Sequence, residues 1–395
     1  MRCARRHERQ QGLVTLASAF APAVAVVGIG HTRYGRLPEH DACSLGLWAL
    51  GEALADCGLT HDDIDGLILN RIADYQRFAT LCGVDPAYTL ATPAHGRFSA
   101  ICLQTAVAVI QAGLAETVAL VYGNNGRSAG VRYAADSAPY DSEHNGLWFP
   151  YGMTSPGAFH ALMMRRHMHR HGSTERHLGA VASTFRAHAA LNPSAVMRDP
   201  FTVDEYLESP FICEPLRRLD HCLINDGGVA MVLTTEARAR DLPRKPVFMR
   251  GSGQASAFAG SDFPPDDLWF GAMAKAGRKT FEQAGVTHDD VDGLMVYDNF
   301  TPTVLFSLEG FGYCPRGESG PWVGEGHLAL GGRYPANTSG GHLSESYMQG
   351  WNLHLEAVRQ LRGEAGERQI RGARFIHSMA AAPVVSSIVY AESAR

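Results

Sequence analysis

No two of the eight cysteines are spaced as C-x-x-C, which removes the sequence basis for a structural zinc site or a small disulfide framework and fits a reduced cytosol. An excess of positive charge is missing as well. With a formal net charge of −5 and an isoelectric point near 6.4, the chain lacks the diffuse basic surface that neutralises many phosphates, so no nucleic-acid partner is expected. The longest apolar stretch, residues 13–30, is cut by Pro22 and ends in glycines. It is too short and too broken to span a bilayer, and no membrane partner is expected. The G-x-G-x-x-G fingerprint is incomplete, because "GIGHTRYG" (28–35) has Arg33 where the third glycine belongs. A tight turn is the simpler reading there, with His31 structural. "FHALMMRRHMHRHGSTERH" supplies His160, His167, His169, His171 and His177. His167 and His171 stand one helical turn apart, but no nearby carboxylate or H-E-x-x-H completes a ligand set, so no metal is expected.

What the chain does have is core and repetition. Its 395 residues, 45% apolar and 19% charged, suffice for more than one domain-sized unit. Residues 58–69, "GLTHDDIDGLIL", return at 285–296 as "GVTHDDVDGLMV", a constant offset of 227 with most positions identical. Upstream, "VAVVGIG" (24–30) and "PVFMRGSG" (246–253) each read as a strand followed by a G-x-G turn. In both copies the Asp pair follows a Thr able to cap a short helical turn, so the acidic repeat reads as structural. Downstream, each half continues with a helix and a strand: 100–113 then 117–123 in the first, 351–363 then 373–380 in the second. The strand 227–235 closes the first half.

Strands alternating with helices predict an α/β fold of two pseudo-symmetric βαβαβ halves, with parallel sheet covered by helices on both faces. The expected divisions are 1–22, 23–124 with 221–240, 125–220, and 241–395. Residues 1–22 imitate a signal peptide, but the following "VAVVGIG" makes a better folding element than a cleavage flank, so they read as an unstructured extension. Residues 125–220 read as a large excursion from the first half.

The strings "PLRRLDHCLINDGGVAMVL", "VYDNFTPT" and "NTSGGHLSESYMQGWNLHLEAVRQLRG", set on two such halves, resemble the thiolase superfamily, and within it the sterol-carrier-protein type. The family's nucleophilic cysteine would fall near Gly96, where there is none. Cys102 lies further along, on the stripe it shares with Thr105, Ala106 and Val109, and reads as core. The second family cysteine is missing from residues 377–387. Tyr347 and Tyr297 stand where the family carries its histidines. This combination resembles the thiolase-fold aldolases that shorten steroid side chains by retro-aldol cleavage of a β-hydroxyacyl-CoA.

The resemblance implies Tyr297 and Tyr347 as base and acid in an unassigned order. A phenol ordinarily titrates near ~10, so Asp298 or His342 is expected to assist. Main-chain donors for the thioester oxygen would come from Gly96, Gly340, Gly341 and Ala380. Arg165, Arg166 and Arg170 would meet the phosphates of CoA. Asn337 reads as a turn residue whose amide is able to orient a phenol or water. The resemblance also implies an acyl-CoA substrate, no further cofactor, a homodimer, a small OB-fold and zinc-ribbon partner, and a cytoplasmic place of work. Two other readings stand beside it: a non-catalytic acyl-CoA or lipid-binding scaffold, and an acyl-CoA thiolase recruiting an unexpected thiol such as Cys314.

Overall fold

The repeat at 58–69 and 285–296 becomes the same local structure twice. Thr60 and Thr287 each donate their N–H to an aspartate three residues on, Asp63 and Asp290, at 2.8 Å, around short 3₁₀ turns His61–Asp63 and His288–Asp290. These acidic residues cap turns, as their spacing predicts.

The computed structural model describes residues 23–93, 98–131, 152–153, 155–257 and 265–394. The expected extension over residues 1–22 and the glycine at 96 lie outside them. The first half runs β1 (Val24–His31), α1 (Ala42–Cys57), β2 (Gly66–Asn70), α2 (Tyr75–Cys82), β3 (Tyr88–Thr92), α3 (Phe98–Gln111) and β4 (Thr117–Asn124). Then come α4 (Pro156–His171), α5 (Glu175–Ala190), α6 (Val203–Glu208) and the two-stranded pair β5 (Phe211–Cys213) and β6 (Leu216–Arg217). The half closes with β7 (Gly227–Thr235) and α7 (Glu236–Ala239). The second half runs β8 (Val247–Ser256), α8 (Phe270–Ala284), β9 (Gly293–Val296), α9 (Thr301–Gly310), α10 (Ser319–Gly324), α11 (Gly341–Ser344), α12 (Trp351–Arg362), β10 (Phe375–Ala380) and β11 (Val384–Ala391).

Nine strands line up as β3-β2-β4-β7-β1-β8-β11-β10-β9. The run β2-β4-β7-β1 mirrors β9-β10-β11-β8, so the two halves meet at β1 and β8. The expected parallel sheet is corrected to a mixed one. Among the described strands only β2 with β3 and β4, and β9 with β10, pair in parallel. The reason is connection length: residues 381–383 alone join β10 to β11, too few for a crossover helix, so the chain must return antiparallel. β7 also lies antiparallel beside β4.

Strand alternation splits the core into layers. On β1, Val24 and Val26 face one hydrophobic cluster and Ala25 and Val27 another. The first of these also holds Cys102, Val109, Trp351, Leu355, Ile376 and Ile388, so α3 and α12 lie between the two halves of the sheet. α1 covers the outer face of the first half, while α8 and α9 cover that of the second. The segment expected to leave the first half as an excursion packs α4 and α5 onto the second half's outer layer, through Met163, Met164, Leu178 and Phe185.

The repeated G-x-G is not a turn. Gly28 and Gly30 lie inside β1, and Gly251 and Gly253 inside β8. A methyl group at Gly30 would run into the backbone of Ala49, Glu52 and Ala53 on α1, and one at Gly253 into the backbone of Ala276 on α8. In both halves the glycines let a helix approach the sheet backbone to backbone. Gly30→Ala should therefore lower stability by about 1–3 kcal/mol or more, because rigid main chain cannot yield as a side chain does. Gly51→Ala on the open side of α1, where nothing lies within 4 Å, should raise it by up to ~1 kcal/mol. Urea unfolding of both variants checks the contrast.

Candidate active site

Tyr297 is the first residue beyond β9, where the parallel pair β9 and β10 ends; its N–H still donates to the Met379 carbonyl (2.9 Å). The carboxyl end of parallel strands is where α/β proteins place ligands, because the chain there leaves the sheet in loops. A buried amide fixes the direction in which Tyr297 leaves. Asn337 accepts from the Val296 N–H (2.7 Å) and donates to the Val296 carbonyl (2.8 Å). Its backbone sits at φ 46, a left-handed conformation that Asn tolerates. The sequence reading of Asn337 as a turn residue holds. Its amide, however, orients the strand end that carries Tyr297.

From Asn337 the loop turns through Gly340 (φ 101) and Gly341 (φ 61) into the short helix α11. A side chain at Gly340 would press on Ala189, and one at Gly341 on the Asp298 carboxylate and the Asn337 amide. The Gly340 N–H donates to the Asn337 carbonyl (2.8 Å). The expectation that Gly340 offers its N–H to an oxyanion is therefore corrected: that proton is spent inside the loop. Asp298 takes the His342 N–H (2.9 Å) and the Leu343 N–H (3.3 Å). It is fully buried, and burial pushes its carboxyl up to about 7 against the pull of those donors.

His342 is fully buried too, and desolvation drives it down to about 3, so it is neutral. Its Nε2 accepts the Gly350 N–H at 3.0 Å. The remaining proton therefore sits on Nδ1, 3.2 Å from Asp298 Oδ1. The ring stands edge-on between the two phenols, 4.7 Å from Tyr297 and 5.1 Å from Tyr347 between centroids. Asp298 and His342 Nε2 are committed to main-chain N–H groups, whereas His342 Nδ1, near Asp298, is buried without a hydrogen-bond partner among the described residues.

Tyr347 arrives from the loop between α11 and α12. Asn225 reaches across from the first half, accepting from the Tyr347 N–H (3.1 Å) and donating to Ser346 Oγ (2.6 Å). The outcome is a direct hydrogen bond between the two phenol oxygens, 2.8 Å long. Tyr297 lines a narrow cleft together with Ala380, Ser378, Ser386, His354 and Ser99.

No described thiol is activated. Burial pushes Cys102 up to about 11 and Cys314 up to about 12, and raises Cys222 further still with help from the charge of Asp298. Among the described residues no group of three or more His, Cys, Asp or Glu is placed to hold a metal ion. His167 is engaged with Glu309 (2.9 Å) and Ser173 (2.9 Å). Arg165 pairs with Glu214 (2.6 Å), Arg166 pairs with Asp266 (2.5 Å), and Arg170 reaches the Asp266 carbonyl (3.5 Å). All three lie on the outer side of α4, and a phosphate would have to compete with the carboxylates of Glu214 and Asp266 for Arg165 and Arg166. Among the described residues no helix is long and apolar enough to cross a membrane.

Asn225, Ser99 and His354 carry no signal of a site in the sequence. Asn225 stands in "LINDGG", which reads as a turn before β7, and His354 sits in a helix whose apolar spacing marks it as core. Only the fold shows what each faces.

Residues 261–390 match the family described as Thiolase C-terminal domain-like. Over 357 residues, 86% of this chain and 91% of the relative, the sequence is 36% identical to the 17-hydroxy-3-oxo-4-pregnene-20-carboxyl-CoA lyase of Mycobacterium tuberculosis. It is 35% identical to the steroid side-chain-cleaving aldolase of Thermomonospora curvata over 367 residues, 88% of this chain and 92% of that one. Among solved structures, the Ltp2-ChsH2(DUF35) aldolase superposes with a TM-score of 0.87 at 32% identity, covering 95% of this chain and 99% of its own. Likeness at that level along nearly the whole length means that the chain belongs to the thiolase superfamily, in the branch of the steroid side-chain-cleaving aldolases.

Proposed function

We propose that the protein is a carbon–carbon lyase that cleaves a β-hydroxyacyl-CoA carrying a steroid side chain into a ketone or aldehyde and a shorter acyl-CoA. The observation that carries this reading is the 2.8 Å hydrogen bond between Tyr297 and Tyr347 at the end of β9, in a chain whose described thiols are held protonated by burial. The substrate in the name of one relative is a 17-hydroxy steroid with a 20-carboxyl-CoA, which is a β-hydroxyacyl-CoA.

In the reaction the phenol pair enters with one hydroxyl ionised, and the β-hydroxyl gives its proton to that phenolate as its own oxygen becomes a carbonyl. The bond between the α- and β-carbons breaks, and its electrons move onto the thioester, whose oxygen takes the negative charge. A proton returned to the α-carbon releases the shorter acyl-CoA. The linked phenols suit this sequence, since a proton accepted by one oxygen can be relayed through the other. The thioester oxygen needs fixed donors, and Ala380 on the cleft wall together with the main chain near Gly96 are the proposed main-chain sources. The CoA phosphates are proposed to lie along α4, by Arg165, Arg166 and Arg170. A homodimer and a small OB-fold, zinc-ribbon partner complete the reading. Support for them comes from the structural relative named with a DUF35 component and from β3, which among the described strands ends the sheet with one edge unpaired.

Tyr297→Phe and Tyr347→Phe should each lower turnover of a β-hydroxyacyl-CoA by ~10²–10⁴-fold, the range for losing one positioned acid or base, with CoA-ester binding retained. Product mass spectrometry with the partner present reads this; full turnover by both variants sinks the reading in favour of a lipid-binding scaffold. Alkylating accessible thiols with iodoacetamide should leave cleavage within about twofold, since no thiolate is consumed or formed in these steps. Loss of activity on alkylation would restore the thiolase reading.

A further inference from the structure

The floor of the Tyr297 cleft carries a second polar chain, separate from the phenol pair. Ser99, in the first turn of α3, and His354, in α12, both line that cleft. His354 Nε2 lies 3.2 Å from Ser99 Oγ, and Nδ1 lies 2.9 Å from the Tyr390 hydroxyl on β11. Ser378 Oγ is a more distant neighbour of Nδ1 at 3.5 Å. All four side chains are buried. Desolvation drives His354 down to about 3, so the imidazole is neutral and carries one proton.

Where that proton sits follows from counting buried donors. The Tyr390 hydroxyl is fully buried and has no other hydrogen-bond partner among the described residues. Were His354 protonated on Nδ1, that N–H would donate to Tyr390 and leave the phenol proton orphaned in an apolar layer, at a cost of about 1–3 kcal/mol. With Tyr390 donating to Nδ1, the proton lies on Nε2 and donates to Ser99 Oγ, and the one proton of the chain left unmatched is that of Ser99, which lines the cleft where Tyr390 does not. Ser99 then receives a hydrogen bond and keeps its own O–H proton, which has the cleft to point into. The cleft also holds Ser386 Oγ, buried and without a partner among the described residues. A wall with such unmet polar groups is built to meet polar atoms of a ligand.

We infer that Ser99 is a further catalytic residue, whose hydroxyl, polarised through His354 by Tyr390, donates a hydrogen bond to the thioester oxygen as the enolate forms. This deepens the lyase reading and rests on it. The donor is a side chain, independent of the main-chain groups near Gly96. It is fixed in direction before the reaction, which is the property that makes a donor effective toward developing charge.

The test is a double-mutant cycle read in kcat, with the melting temperature recorded for each variant. Ser99→Ala should lower kcat by ~10²–10³-fold with KM little changed, the size seen when one oxyanion donor is removed. Tyr390→Phe should also lower kcat, because the imidazole is then free to move its proton to Nδ1 and draw the Ser99 proton out of the cleft. The distinguishing result is that Tyr390→Phe has no further effect on kcat when combined with Ser99→Ala, whereas a merely structural role makes the two losses add. Wild-type turnover within about twofold in Ser99→Ala, or a Tyr390→Phe loss that persists in full in the double variant, overturns the inference and leaves the lyase reading intact. A wild-type enzyme that leaves a panel of β-hydroxyacyl-CoAs uncleaved overturns both.

Discussion

The two hydrogen bonds between the Asn337 amide and the Val296 peptide hold the site together. They substitute a side chain for a neighbouring strand at the one place where β9 would otherwise end with an open peptide. Each of the two main-chain groups would be stranded in the interior without Asn337, and such groups cost about 1–3 kcal/mol apiece when left unpaired. The amide thereby fixes two loops at once: the segment carrying Tyr297 and Asp298, and the glycine turn that leads to His342 and Tyr347. Asp298 then caps that turn, and His342 stands between the phenols because its own main chain is tied to Asp298.

Around this lock the protein buries many ionisable groups and keeps its site histidines neutral. Burial raises Asp298 to about 7, raises Glu345, and lowers His342 and His354 to about 3. Glu345 compensates for its burial with Ser339 (2.7 Å) and Asn352 (2.8 Å). A polar interior of this kind gives directed hydrogen bonds in a low-dielectric surrounding, where each is electrostatically stronger than in water. Its cost is that a buried polar group left unpaired is expensive, and the Gly350 N–H on His342 Nε2 and the Tyr390 hydroxyl on His354 Nδ1 make the two tautomers readable.

The duplicated architecture divides the labour. The second half supplies both phenols and their lock. The first half contributes Asn225, which holds the Tyr347 main chain, and Ser99 from the helix enclosed between the halves. Neither half alone contains the site. The close fit at Gly30 and Gly253 seats the outer helices α1 and α8 on the sheet, while the apolar layer between the halves holds α3 and α12 together.

Much of this is legible in the residues. The repeat at an offset of 227 and the Thr-capped turns follow from local chemistry. Tyr297 and Tyr347 stand out because they occupy motif positions where the family carries histidine. Strand direction is not legible, since alternation of helix and strand says nothing of how short a return will be, and residues 381–383 decide it. The paired glycines read as turns and are not, because a glycine needed for φ and one needed for close approach look alike in a string. The single chain specified its elements, its caps and the identity of its two phenols. The 2.8 Å contact between those phenols and the proton order along Tyr390, His354 and Ser99 were decided only by tertiary structure. They join residues 36 to 255 positions apart, and hydrogen-bond geometry exists only once packing has set the distances.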